Sequence, residues 1–491
     1  MRKVAISSLF LILCLFSVNG QNKFFKLYAD NGYDFGQGIV QLSDSSYVVT
    51  GASTSFQDSP SQVFMLKVDK SGNHEWSKHY GGEESDYGRR VLSWNDSIFY
   101  LLGYTNSFGQ GGFDLYMVKV DKFGNELGQK TYGYEGWERL NDALLTPDSS
   151  IVMVGESTST STSNRDFYIV KTDKNGDTLW TRKMGSDGDD FLNAVLQYDA
   201  TTFYAVGGHY NQDSSLVKAA VVKFNDQGDV LWLKEFGGYG EYYLNDFYLK
   251  DGKLFAGGTR KHPTDGDQDE FLLRIFDDGS YFMYDAEVHK PGDVEYVAVT
   301  LYGAETNAYV VSEFRDEFSA NNSQDAGYTR FNNDLDWEWG NPSVPFVIVN
   351  FMQDDEFGEI VPTSDGGWVS TGYINSQEHG GSLLYILKVG PNDDFPVLDL
   401  SNVNSLVSLQ QLDGASVFGV YPNPAQDLVN IRFMNDGNYK IAVSDVNGRV
   451  LYTTSASGST TLFVEAWERG VYLLAITDEA GRTAVTRVAL H

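Results

Sequence analysis

The sequence predicts an all-β chain, a seven-bladed β-propeller followed by a small immunoglobulin-like β-sandwich. Three observations carry this prediction. The 491 residues include 30 Tyr, 31 Phe, 9 Trp and 50 Gly, a composition that favours short strands and tight turns. A unit of about 52 residues recurs along most of the chain, and this repeat pattern ends before residue 417.

Two columns of residues mark the repeat. Each basic residue ends a strand-like run, and the first four basic residues are spaced by 52 before steps of 51, 56 and 58 follow: Lys67, Lys119, Lys171, Lys223, Arg274, Arg330 and Lys388. A second column, almost entirely glycine, follows another strand-like run in every unit: Gly51, Gly103, Gly155, Gly207, Gly258, Ser312 and Gly372. Seven aligned units predict seven blades.

Each unit contains four strand-like segments joined by turns rich in Asp, Ser and Gly, which in the first unit lie near residues 38–42, 47–52, 64–69 and 75–80. A single four-stranded blade exposes both faces, so the units are expected to stack radially and close into a ring. The last unit lacks a fourth strand after Lys388, whereas FFKLY at 24–28 resembles a fourth strand with no blade before it. We therefore expect the N-terminal segment to complete the last blade.

The N-terminus has the pattern of a signal peptide. Arg2 and Lys3 precede an apolar run over 4–18, and small residues precede a cleavage site at Gln21, which gives a signal peptide of residues 1–20. No other segment is apolar and long enough to predict a transmembrane helix. The single cysteine, Cys14, lies in the leader, so no disulfide or thiolate site is expected in the mature chain.

The charge balance limits the classes of partner. The net charge is −31, and without Arg2 and Lys3 the mature chain keeps 34 basic and 67 acidic residues. This excess of acid disfavours nucleic acid and anionic lipid as partners. Cations, or partners that carry them, fit this charge best as ligands.

The repeat itself resembles known propellers. Its GG-x-x-x-acidic segment, its strand ending in Gly and its K-x-D-x-x-G-x-x-x-W segment are similar to repeat propellers of secreted bacterial proteins, over about residues 24–390. The D-x-x-G-x-x-x-W endings at 69–76 and 173–180 also resemble the docking motif of quinone-dependent dehydrogenase propellers. Those enzymes typically have eight blades, and the sequence has seven units without recognisable quinone ligands, which argues against that activity.

The C-terminal part has different motifs. The propeller is predicted over 21–394, a linker over 395–416 and a separate unit over 417–491, which contains YPNPAQD, the D-x-x-G-R-x-L of 445–451 and the G-V-Y-L of 470–473. In this order, the motifs resemble the type A sorting domain of the type IX secretion pathway of Bacteroidota. The resemblance implies the type IX machinery as a partner and a secreted or outer-membrane surface location, reached via the periplasm. The alternative is an ordinary accessory sandwich.

An acidic residue stands seventeen positions before the glycine column in every unit. These candidate metal ligands are Asp34, Asp86, Glu138, Asp190, Glu241, Glu295 and Asp355. One interpretation is a ring of carboxylates that binds a cation such as calcium, the only cofactor that the sequence suggests. The interpretation that we favour is structural, because short acidic side chains often accept backbone N–H bonds within their own loops.

Other sites are weaker. Asp265, Asp267 and Asp269 begin like an EF-hand loop, but Phe276 occupies the position of the bidentate Glu. No H-E-x-x-H or G-x-S-x-G motif is present.

We expect a binding or adhesion module whose variable loops contact an extracellular ligand, with Trp137, Tyr242 and Tyr243 as candidate contacts. The alternative is a hydrolase or lyase acting on polysaccharide, because the abundant carboxylates leave acid pairs possible.

Overall fold

The structure is a computed structural model that describes most of the chain after the leader. It describes residues 23–490 except 31, 57–59, 159–162, 265–267, 277–279, 286–294, 304–306, 316–323, 333–346, 350–354, 377–380, 392–394, 397–402, 405, 407–417, 422–427, 434–436, 445–448, 458–459, 466, 468 and 478–482. Side chains between 295 and 355 also lie outside the description. The predicted signal peptide, Asp265 and Asp267 fall outside the described residues.

Seven blades of four antiparallel strands each form within the described residues, which confirms the predicted seven-bladed propeller. Six of them are four-stranded sheets, and the sheet of the seventh carries one further short strand. Blades 1 to 3 consist of β2 Asp34–Gln41, β3 Tyr47–Ser53, β4 Gln62–Val68 and β5 His74–Tyr80; β6 Asp86–Trp94, β7 Ile98–Thr105, β8 Asp114–Asp121 and β9 Glu126–Tyr132; β10 Trp137–Leu145, β11 Ile151–Thr158, β12 Arg165–Thr172 and β13 Thr178–Met184. Blades 4 and 5 consist of β14 Phe191–Gln197, β15 Thr202–Asn211, β16 Leu216–Asn225 and β17 Val230–Phe236; β18 Glu241–Lys250, β19 Lys253–Lys261, β20 Gln268–Ile275 and β21 Tyr281–Asp285. Blades 6 and 7 consist of β22 Glu295–Gly303, β23 Asn307–Arg315, β24 Gln324–Asn332 and β25 Val347–Val349; β26 Asp355–Pro362, β27 Trp368–Ser376, β28 Gly381–Val389 and β1 Phe24–Tyr28.

Packing between neighbouring blades forms the core. The second and third strands are apolar on both faces because each face packs against an adjacent blade. Val48 and Met65 of blade 1, for example, share a buried cluster with Leu101 and Tyr116 of blade 2. The same arrangement joins Val152 of blade 3 to blade 4. The repeat therefore folds as a ring because no blade can bury its own faces.

The N-terminal strand closes this ring as the sequence predicts. β1 pairs antiparallel with β28, with Phe24 opposite Lys388 and Tyr28 opposite Leu384. Leu27 and Tyr28 are fully buried, and the Tyr28 hydroxyl donates a hydrogen bond to the carbonyl of Gly72 in blade 1. The last blade thus combines both ends of the propeller segment.

The segment predicted as a linker over 395–416 is more than a connection. Its short strand β29, Val403–Asn404, pairs parallel with the outer edge of β1. Ala29 N donates to Asn404 O at 2.9 Å, and the side chain of Leu406 is fully buried. We call the described part of 403–406 the strap. It covers the edge that β1 would otherwise expose, and exposed edges favour unwanted pairing.

The C-terminal unit is the predicted small sandwich. One sheet has the order β30 Phe418–Tyr421, β31 Leu428–Phe433 and β34 Thr460–Phe463; the other has the order β33 Val450–Ala456, β32 Tyr439–Ser444, β35 Gly470–Thr477 and β36 Thr483–Leu490. Alternate residues such as Val429, Ile441 and Leu474 form one buried cluster between the sheets. Within the described residues, no helix has the length and apolar character needed to cross a membrane.

Candidate functional site

Every blade has an irregularity at the same point of its first strand. In blade 2, Gly88 pairs with Gly103 and Arg90 with Leu102, so Arg89 is an unpaired bulge residue. The bulge explains the glycine column, because a Cβ atom at Gly103 would lie 1.7 Å from the carbonyl oxygen of Tyr87. The seven bulge residues are Gln37, Arg89, Asn141, Asn193, Asn245, Val299 and Gly358.

Six of these seven residues line a cavity at the centre of the ring, and the side chain of the seventh, Val299, lies outside the description. The largest part of the cavity has a volume of about 470 Å³. Its described lining consists of Arg89, Tyr104, Arg139, Leu140, Asn141, Glu156, Arg165, Phe191, Asn193, Tyr243 and Asn245. Two smaller parts of about 260 and 70 Å³ share Arg89 and the three asparagines with it. We call the whole space the central cavity.

Three arginines enter the largest part from blades 2 and 3. Arg165 is held by two acids, with Nη1 3.1 Å from Glu156 Oε2 and Nη2 3.0 Å from Asp189 Oδ2, and its guanidinium lies 4.3 Å from the centre of the Phe191 ring. Arg89 donates a hydrogen bond to the Gln37 side-chain carbonyl. This part of the cavity is therefore basic, although the chain as a whole is strongly acidic.

Asparagine side chains connect the blades along one wall. Asn141 Nδ2 donates to Leu192 O at 2.9 Å, and Asn193 Nδ2 repeats this contact with Leu244 O at 2.8 Å. Asn245 Nδ2 donates within its own blade, to Thr259 Oγ1 at 3.2 Å. Asn141 and Asn193 thus connect neighbouring blades while they line the cavity.

A charged network lies beside the smallest part of the cavity, which Arg90 lines. Arg90 Nε is 2.6 Å from Asp142 Oδ1, and Arg90 also forms an ion pair with Glu359. Glu359 Oε2 accepts a 2.8 Å bond from Ile39 N, so the network joins blades 7, 1, 2 and 3. Burial raises the pKa of Glu359 to about 7, against the opposing effect of Arg90. These ion pairs connect four blades, so their charges are compensated within the protein.

The acidic column lies close to the bulges but outside the central cavity. Asp34, Asp86, Glu138 and Asp190 are fully buried, each within one residue of the start of a strand. Asp86 Oδ2 accepts bonds from Gly82 N and Ser107 Oγ at 2.8 Å each, and Thr105 Oγ1 donates to Oδ1. The other three acids also accept bonds from main-chain N–H groups or hydroxyls nearby. Burial raises the pKa of Asp34 to about 6.

The register corrects the column in blade 5. Leu244 pairs with Gly258 there, and the hairpin turn is one residue shorter than in blade 1, so counting back from the glycine overshoots by one residue. Tyr242, not Glu241, therefore occupies the acid position. Glu241 is part-exposed and lies 3.8 Å from Lys261 Nζ.

Blade 6 has the same shift. Ala298 pairs with Ser312, which puts Tyr296 in the position assigned to Glu295, whereas the register of blade 7 supports Asp355. The side chains of Glu295 and Asp355 lie outside the description. Among the described residues, no three His, Cys, Asp or Glu side chains gather in a way that could hold a metal ion.

The structural role of the acidic column, as acceptor of hydrogen bonds within its own loops, can be tested at Asp86. Replacing Asp86 with Asn is expected to change stability little, because the amide oxygen can still accept and the two hydroxyl partners can reorient. Asp86→Ala leaves three donors, one of them fully buried, without this acceptor and should cost about 0.5–2 kcal/mol, as at other side-chain caps. Thermal melting with calcium and with a chelator measures both. A calcium-dependent rise in Tm that disappears in Asp86→Asn would instead assign a metal to this column.

The predicted ligand contacts have three different environments. Trp137 is 50% exposed, and the guanidinium of Arg139, a lining residue of the central cavity, lies 5.7 Å from the centre of its ring. Tyr243 lines the cavity and packs edge-on against Phe191 at 5.8 Å. Tyr242 is 1% exposed and packs against Phe271, so it is a core residue and not a surface contact. Tyr242 is buried because it occupies the strand position at which the acids of blades 1 to 4 are also buried.

The C-terminal unit is also recognised by comparison with known families. Residues 419–490 match the family described as secretion system C-terminal sorting domain. This unit is a secretion-system sorting domain. The chain is thus a type IX secretion substrate that is released or attached at the cell surface, as the motifs predict. The sorting domain accounts for the end of the chain and leaves the propeller to carry any further activity.

Solved structures with similar shape are distant. The extracellular domain of the hybrid two component system BT4673 from B. thetaiotaomicron has 10% identity and a TM-score of 0.43, and the match covers 96% of this chain and 59% of that chain. The propeller domain of the trilobed protease from Pyrococcus furiosus has 8% identity and a TM-score of 0.43, with 75% and 97% covered. The chain thus spans less than two thirds of the first of these proteins. Among curated proteins, none matches the chain.

Proposed function

We propose that the exported propeller is a saccharide-binding protein whose ligand enters the central cavity. The lining of the largest part carries this proposal, because it combines aromatic rings with amide and guanidinium groups. Tyr104, Phe191 and Tyr243 offer apolar ring surface, and Asn141 and its equivalents offer polar groups. A concave site of about 470 Å³ with a few fixed polar groups is of the size that holds a small molecule.

The second candidate, polysaccharide hydrolysis, has less support. Glycoside hydrolysis usually needs two carboxyl groups that face the same bond. Glu156 is the single acid in the described lining of the largest part, and its carboxylate is bound by Arg165. Glu356 lines the part of about 260 Å³ and Asp246 the part of about 70 Å³, where their charges act on Arg89 and Arg90. Asp142 and Glu359 belong to the network around Arg90. This distribution favours binding over hydrolysis.

The test is a binding assay on the full mature chain, residues 21–491, with a panel of neutral and acidic oligosaccharides. Tyr243→Ala is expected to weaken binding about tenfold, because a buried aromatic contact contributes about 1.5–3 kcal/mol and 1.4 kcal/mol corresponds to tenfold. Calorimetric titration measures the change directly.

The matched control is Phe123→Ala. Phe123 is 61% exposed and lies in the turn between β8 and β9, at the end of blade 2 away from the start of its first strand. This variant should bind like the parent chain. Equal binding by Tyr243→Ala and the parent chain, or no binding to any saccharide on the panel, would refute the proposal.

A further inference from the structure

We infer that the central cavity recognises a negatively charged group, a carboxylate or a sulfate, on its saccharide ligand, and that Arg89 and Arg139 bind this group. The inference rests on the proposed function and adds the chemical class of the ligand. It is opposite in sign to the expectation from net charge, which pointed to cationic ligands.

The first observation behind this inference is the positive charge of the residues that line the largest part of the cavity. Three arginines and one acid, Glu156, line the largest part of the cavity, and Glu356 lines the adjoining part of about 260 Å³ together with Arg89. The whole chain, by contrast, has a net charge of −31. A basic cavity in an acidic protein attracts anions locally, while the acidic surroundings repel larger polyanions. The arrangement therefore favours a small ligand with one or a few negative groups.

The pairing of the arginines carries the second step. Arg165 uses Glu156 and Asp189, so its charge is compensated within the protein. Arg139 lies opposite Glu156 in the strand register, but Glu156 turns to Arg165 instead. Among the described residues, neither Arg89 nor Arg139 forms an ion pair with a carboxylate.

The free-energy cost of removing a guanidinium group from water explains why these two arginines would favour an anionic ligand. Arg89 is part-buried, and burial lowers its pKa, although an arginine stays protonated at neutral pH. A cation removed from water without an anion is unfavourable unless a partner offsets the loss of hydration. A ligand carboxylate or sulfate would provide that partner, and the planar guanidinium suits its paired oxygens.

Tyr104 shows that the two guanidinium groups share one region. Burial raises the pKa of the Tyr104 phenol, and the positive charges of Arg89 and Arg139 both oppose this rise. Arg89 comes from the bulge of β6 and Arg139 from β10 of the next blade, so their side chains approach from adjacent blades. The Trp137 ring lies against Arg139 and limits its orientation. Both arginines line the same part of the cavity, of about 470 Å³, where we expect one anionic group to reach them.

The experiment compares three ligands on the full mature chain: a galacturonate oligomer with carboxylates, a sulfated oligosaccharide and a neutral oligosaccharide of the same length. Arg139→Gln is expected to weaken binding of the acidic ligand about tenfold and binding of the neutral ligand much less, because only the acidic ligand loses a charge-assisted contact. Binding of the acidic ligand should also weaken as NaCl is raised. Arg139→Lys should restore part of the affinity, because it keeps the charge and loses the paired geometry.

Lys122→Gln is the control for the loss of one positive charge, since Lys122 lies in the β8–β9 turn away from the cavity. Melting curves check that each variant is folded. Tighter binding of the neutral ligand, or equal losses in Arg139→Gln and Lys122→Gln, would overturn the inference while the proposed saccharide binding stands. Comparison of the affinities for the galacturonate oligomer and the sulfated oligosaccharide shows which anion is preferred.

Discussion

A mature chain that lacks residues 21–30 is expected to melt far below the full chain, with loss of the closed ring. Phe24, Phe25, Leu27 and Tyr28 in this segment are each at most 8% exposed. Four such side chains, at about 1.5–3 kcal/mol each, approach the whole stability of a typical domain, about 5–15 kcal/mol. Without them β28 becomes an open edge and the face of blade 1 is exposed. Thermal and urea melting measure the effect.

Point variants separate packing from the loss of the strand. Leu27 is fully buried, so Leu27→Ala should cost about 2–5 kcal/mol. Lys26 is the preceding residue of the same strand and is part-exposed, so Lys26→Ala serves as the matched control with a small expected effect. If the deletion and Leu27→Ala both melted like the parent chain, β1 would not hold the ring together.

The closure was predictable because its signals are local and repeated. Each blade repeats the same strand and turn pattern, so a missing fourth strand after Lys388 and an extra one at 24–28 could be recognised as two parts of one blade. The strap could not be predicted in this way. Val403 and Leu406 lie in a segment without repeats, and their place in the fold depends on an edge that forms only once β1 is paired.

The acidic column shows the limit of alignment by counting. Spacing from a glycine column is reliable only if the intervening turn keeps its length, and the shorter hairpin of blade 5 moved the position by one residue. In a strand one residue separates the two faces. For this reason Glu241 was predicted in the ring but lies part-exposed beside Lys261. Tyr242, predicted as a surface contact because it lies in a variable loop, occupies the acid position instead and is buried in the core.

The central cavity was missed because its residues are about 50 positions apart and its charge opposes that of the chain. Arg89, Asn141 and Asn193 each stand three residues after an acid of the column. That fixed offset was a usable signal, since the polar residues recur where an inner strand should be apolar or small. Their common direction still required the bulge, which changes the side on which the following residues lie.

A chain that ends after Leu412 is expected to fold but to remain in the periplasm. It lacks residues 419–490, the sorting domain that the export machinery recognises. It keeps β1, the seven blades and the strap through Leu406, so the ring itself should be intact. Fractionation of a host with a type IX pathway, together with protease treatment of whole cells, should show the full chain outside and the truncated chain protected inside.

Two controls make this result specific to sorting. The melting temperature of the purified truncated propeller should match that of the propeller transition in the full chain, which excludes misfolding as the cause of retention. Fusion of residues 407–491 to a periplasmic reporter should carry the reporter across the outer membrane. Two outcomes would contradict this prediction: the truncated chain reaches the surface as efficiently as the full chain, or the reporter stays inside. Either would mean that the sandwich is an accessory domain and that export depends on another part of the protein.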